Sequence, residues 1–102
     1  MAIECGALDA NLAAAAGDDA QLMRELRSAF RDSLDRQIDL LSRARCDGNW
    51  NVAAMRIKGL AASFHADDLI ALADRALSSA PGDPVVVRQL SAYAKEFAEL
   101  AD

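Results

Sequence analysis

The side chains able to do chemistry are few, and their spacing narrows the options further. His65 is the only histidine. A lone imidazole in a helix-connecting loop reads as a surface or capping residue, with pH sensing the chemistry left open to it. One histidine starves most metal constellations, however, and no Glu-x-x-His pair exists for a di-metal site between helices. Cys5 and Cys46 belong to no Cys-x-x-Cys spacing and are expected to be free thiols packed as small hydrophobes. Asp32, Asp35 and Asp39 recur at helical spacing with Arg31 and Arg36 interleaved, which suits a solvated helix face with i, i+4 pairs. There is no glycine-rich phosphate loop. The expectation is no catalytic constellation, no metal site and no cofactor.

Charge and length restrict the partners. The 102 residues carry a formal net charge of −5, the wrong sign for a phosphate-backbone binder, so nucleic acid is not an expected partner. No apolar run is long enough to span a bilayer, so no membrane partner is expected either. Met1-Ala2-Ile3-Glu4 lacks the basic and apolar segments of a secretory leader, so a cytoplasmic location is the expectation. With 53% apolar and 26% charged residues and no repeat or linker, residues 1–102 read as a single globular domain.

The elements that must position these residues are helical. Alanine occurs 23 times and strand-type alternation is absent. A first short helix is expected from about Cys5 to Ala15, closed by Gly17. A second begins at Asp18, where Asp18-Asp19-Ala20-Gln21 looks like a capping box, and stops at the turn dipeptide Asp47-Gly48. Its buried stripe is Leu22, Leu26, Ala29, Phe30, Leu34, Ile38, Leu41 and Ala44. Asn49 can cap a third helix that buries Trp50, Ala53, Ile57, Leu60, Ala61 and Phe64. After a break near His65-Ala66 a fourth helix uses Leu69, Leu72, Ala73, Ala76 and Leu77, and Pro81-Gly82 ends that region. The fifth starts with Asp83 as N-cap and Pro84 at N1, takes in Val85-Val86-Val87, and buries Val86, Leu90, Tyr93, Phe97 and Leu100. The expected fold is all-α, an antiparallel four-helix bundle with an additional short N-terminal helix.

The third helix carries an anomaly. Advancing about 100° per residue from Trp50 centres the core stripe near Ile57. Val52, Met55, Gly59 and Ala62 fall on the opposite side, flanked by Arg56, Lys58 and Ser63. A solvent face should be charged, yet this one is small and apolar at its centre. Gly59 in a helix interior costs about 1 kcal/mol relative to alanine. Two readings stand on pattern alone: a docking surface, or a neutral glycine beside a small apolar patch of the kind monomers often carry.

The run Met55-Arg56-Ile57-Lys58-Gly59-Leu60-Ala61-Ala62-Ser63-Phe64 resembles the central helix of histidine-containing phosphotransfer (HPt) domains, whose signature is His-x-Leu-Lys-Gly, then small residues and an aromatic. Gly17-Asp18, the stretch Gln21-Leu22-Met23-Arg24-Glu25-Leu26, Phe30, the Asp47-Gly48-Asn49-Trp50 loop and Leu69-x-x-Leu72-Ala73 look like such domains too. The resemblance implies a bundle whose exposed histidine relays a phosphoryl group between receiver-domain aspartates. The lysine three residues on helps neutralise the phosphate, and the glycine four residues on clears room for the receiver. Here Lys58 and Gly59 match those positions, but Met55 stands where the histidine would be. A thioether has no nucleophilic nitrogen. Family helices also often have glycine where this chain has His65.

The resemblance therefore implies a degenerate, non-enzymatic HPt-like domain. Its expected partner is the receiver domain of a response regulator or hybrid histidine kinase, bound through Val52, Met55, Arg56, Lys58, Gly59 and Ala62. Arg24, Arg27 and Arg31 of the second helix could join Arg56 and Lys58 in a mildly basic rim around Met55 if the second and third helices are neighbours, steering an acidic partner; the alternative reading is a solvated mixed-charge face. Two alternatives stay open. His65 could be a working phosphoacceptor, or the small-residue face could pack on its own copy in a weak homodimer.

Overall fold

Short connections and strong local signals divide the described residues into five helices. The computed structural model describes residues 6–100. In order these are α1 (Gly6–Ala16), α2 (Ala20–Arg43), α3 (Asp47–Ser63), α4 (Asp67–Leu77) and α5 (Pro84–Leu100), with no strand among the described residues. The fold is all-α. Helices α3, α4 and α5 each pack on the helix before them, α5 also packs on α2, and α1 lies against α2 and α5.

The helix boundaries follow from particular residues. Gly17, at φ +64°, turns the chain out of α1. Asp19 is the N-cap of α2, its carboxylate accepting from the Leu22 N–H at 3.0 Å. The expected capping box at Asp18 is thus displaced by one residue: Asp19, not Asp18, has the extended backbone a cap needs, and Gln21 donates to Glu25 instead. Asp47 and Gly48 do not form a turn, and Asn49 is not a cap. All three lie inside α3, whose N-cap is Cys46 without a side-chain bond. The reversal comes earlier than expected, at 44–46, and it puts the Asp47 carboxylate in the first turn, where the helix dipole favours it. Asp83 caps α5 as expected, accepting from the Val85 N–H at 2.9 Å. Pro81 and Gly82 (φ +85°) precede it in a turn closed by the Asp83 N–H on the Ala80 carbonyl.

Burial follows the periodicity with some corrections. The core joins Leu8 and Leu12 of α1, Phe30, Leu34, Ile38 and Leu41 of α2, and Trp50, Ala53, Ala54, Ile57 and Ala61 of α3. Leu69, Leu72, Ala73 and Ala76 of α4, with Val86, Leu90, Tyr93, Ala94 and Phe97 of α5, complete it. Leu22 and Leu100, in the terminal turns of their helices, are exposed, as is Ala29. Leu26, Leu60, Phe64 and Leu77 are half-buried at the margins. Cys46 is exposed rather than packed, because the N-cap position holds it outside the helix–helix contact. Cys5 lies outside the described residues.

Two interactions set the register between helices. The Trp50 indole N–H donates to the Ala76 carbonyl at 2.7 Å in a buried bond between α3 and α4. At the other end of α3, Phe30 meets Phe64 edge-on at 5.8 Å and Phe97 at 5.5 Å. There α1 acts as a clasp. Its Asn11 side chain donates to the Phe64 carbonyl at 2.7 Å, and Asp9 accepts two bonds from the Arg27 guanidinium at 2.8 and 3.0 Å.

The end of α3 is a Schellman turn. His65 takes φ +53°, its N–H reaches the Ala62 carbonyl, and the Ala66 N–H reaches the Ala61 carbonyl at 2.9 Å. The break expected at His65-Ala66 therefore has the left-handed residue that glycine normally supplies.

Two stability predictions follow. Trp50→Phe, which loses the bond to Ala76 and leaves a void, should cost about 2 kcal/mol in chemical denaturation. His65→Gly should stabilise the fold by about 0.5–1 kcal/mol, relief of the left-handed backbone exceeding the added entropy of the unfolded chain.

Candidate functional site

The rotation of α3 decides which of its side chains meet solvent. With Trp50, Ala53, Ala54, Ile57 and Ala61 turned inward, Met55 is 55% exposed and Val52 50% exposed, and Gly59 and Ala62 are exposed beside them. Arg56 is exposed toward α2, and half-buried Lys58 lies toward α4. The six residues singled out from the sequence therefore share one outward side of α3.

Gly59 answers to nothing inside the molecule. A Cβ built there would have no atom within 4 Å, so neither packing nor a positive φ requires glycine. One turn on, the Ser63 hydroxyl donates to the Gly59 carbonyl at 3.0 Å, so that donor is already used.

The electrostatics differ from the expected rim. Arg24, Arg27 and Arg31 line a depression with Asp32, Asp35 and Phe97, on the α5 side of α2 and away from α3. Arg27 is held by Asp9 of α1, and Arg31 pairs with Asp35 at 3.7 Å. These arginines do not surround Met55. The reason is helical phase: they lie on the opposite flank of the α2 core stripe from the residues facing α3. Leu40 and Arg43 of α2 do reach α3, lining a depression with Asn49, Val52, Ala53 and Arg56. Arg36, one turn before Leu40, falls on the same side of α2.

Leu40 is 44% exposed, so it extends the apolar surface of Val52 and Met55 onto the neighbouring helix. Sequence reasoning missed Leu40 and Arg43. The available signal was that Leu40 lies off the α2 core stripe, an apolar residue on a polar flank. Lys58 is engaged, its Nζ 2.8 Å from the Asp74 carboxylate of α4. Among the described residues, neither Arg36 nor Arg56 has an ion-pair partner.

Comparison with known proteins found no matching family model, curated protein or solved structure.

His65 is remote from this surface. It is exposed in the α3–α4 connection, and ten residues of helix put it about 15 Å along the axis from Met55. Three and four residues after it stand Asp68 and Leu69, not a lysine and a glycine. No group of three or more His, Cys, Asp and Glu side chains that could hold a metal ion occurs among the described residues. No helix among them is long and apolar enough to cross a membrane.

The open space at Gly59 makes a direct prediction. Gly59→Ala should raise stability by about 0.5–1 kcal/mol in urea or thermal unfolding, because helix propensity improves and no contact is lost.

Proposed function

We propose that this protein is a degenerate HPt-like signalling domain of the two-component phosphorelay type. In this reading α2–α5 form an antiparallel four-helix bundle with α1 as an added N-terminal helix. Its outward α3 side binds receiver domains of response regulators or hybrid histidine kinases. It does not relay phosphate and is not an enzyme, because the phosphoacceptor position holds Met55. Val52, Met55, Arg56, Lys58, Gly59 and Ala62 make the contact, and Leu40 and Arg43 extend it across the α2–α3 boundary.

The observation that carries the proposal is Gly59. It lowers helix stability at an exposed position where nothing in the fold needs it, on a face that is apolar at its centre and has unpaired arginines along its α2 border. A bare helix backbone lets another protein approach closely. Arg36 and Arg56 supply positive charge along one border of that face in a chain whose net charge is −5, and Arg43 beside them is paired with Asp39. An acidic receiver pocket complements that border and would be steered toward it. The residue types at 58 and 59 support the same partner through the resemblance.

Titration of the protein with purified receiver domains from the same cell tests the proposal. At least one should bind with a Kd of about 1–10 μM, in the range of transient signalling contacts. Gly59→Phe should weaken that binding at least tenfold while leaving the helical circular-dichroism spectrum intact. Association with none of the receivers would refute the reading. Self-association at micromolar concentration that Gly59→Phe abolishes would instead favour a homodimer through the same face.

A further inference from the structure

Resting on the docking reading above, we infer that the Met55 face selects the unphosphorylated receiver and discriminates against the phosphorylated one. The hydrogen-bond donors on this face set that preference. A phosphoryl group on an aspartate adds charge and acceptor oxygens, and burying them requires charged or N–H donors in return for lost water. The centre of this face has none to give. Val52, Met55 and Ala62 have no side-chain donor. Gly59 lies in the interior of α3, so its N–H is committed to the helix. The Ser63 hydroxyl is spent on the Gly59 carbonyl at 3.0 Å.

Lys58 lies on the α4 side of the face, and Asp74 holds it at 2.8 Å. An exposed pair of this kind is weak, so a phosphoryl group could draw the ammonium away. Doing so would uncover the Asp74 carboxylate close to the incoming anion. Lys58 and Asp74 together therefore present no net charge, whichever way the lysine turns. Arg36 and Arg56 remain, with Arg43 already held by Asp39 at 3.3 Å, but all three stand at the α2 edge of the face rather than at its centre. The unmodified aspartate brings fewer oxygens and less charge to desolvate, and the apolar centre can cover the surface beside it.

The consequence is a sign for the regulation: the protein holds the resting receiver and releases it on phosphorylation. The test uses the receiver domains that bind in the preceding titration, each measured with magnesium alone and as its beryllium trifluoride adduct, a stable mimic of the aspartyl phosphate. Affinity for the adduct should be at least tenfold weaker. Met55→Lys, which puts a donor at the centre of the face on an exposed and fold-neutral position, should shrink the difference to less than threefold. Equal or tighter binding of the adduct overturns the inference and leaves the docking reading intact. A tenfold difference that survives Met55→Lys overturns the donor account. Binding of neither form overturns the docking reading itself, and the selectivity with it.

Discussion

Trp50 is the largest fully buried side chain among the described residues, and its indole N–H is tied to the Ala76 carbonyl at 2.7 Å. An indole that must be both desolvated and hydrogen-bonded has very few acceptable positions. It therefore fixes the rotation of α3 about its own axis and its height against α4. Each residue of an α-helix turns about 100°, so a one-residue slip would carry Met55 toward a flank and replace Ala54 or Ala61 in the core by a larger neighbour. The surface chemistry of α3 is in this sense a consequence of one buried bond. Ala53, Ala54 and Ala61 complete the constraint, because their small side chains let the backbones of α2 and α4 come close on either side.

The elements were legible where a residue acts through its own backbone. Asp83-Pro84 starts α5, Gly17 ends α1, and the break at His65 appears where expected, because capping and φ preferences are local. The burial of Phe30, Leu34, Ile38 and Leu41, and the outward side of α3, follow from periodicity alone. The misses share a cause. Two adjacent aspartates at 18–19 offer two equivalent caps, and only the tertiary path of the chain selects the second. Asp47-Gly48-Asn49 has the composition of a turn, but the same residues suit the first turn of a helix, where a carboxylate meets the dipole. The basic rim failed because membership of one helix face does not say which neighbour that face adjoins. Arg27 found Asp9 on α1, an 18-residue separation that no helical spacing encodes.

The outward side of α3 gains its meaning from what each neighbour already occupies. Lys58 is engaged by Asp74, Ser63 by the Gly59 carbonyl, and Arg43 by Asp39 at 3.3 Å. What is left is an apolar centre of Val52, Met55 and Leu40 with Arg36 and Arg56 along one border. Such a surface is poorly equipped to hold a free phosphate and better suited to a protein that brings its own apolar area with acidic groups beside it. Cations at the edge raise encounter rates and orient the partner, while desolvated apolar contact supplies the affinity.

His65 is the remaining residue whose chemistry invites a role, and the backbone accounts for it without one. A Schellman turn needs a left-handed residue at its C′ position, and the bonds from the His65 and Ala66 N–H groups to the Ala62 and Ala61 carbonyls fit that motif. Histidine enters this conformation more readily than β-branched or bulky residues, though less readily than glycine. The Asn11 bond to the Phe64 carbonyl holds the turn from the α1 side, which helps a non-glycine residue persist there. The same imidazole that could suggest catalysis in the sequence is, in the fold, the exposed left-handed residue of the turn between α3 and α4.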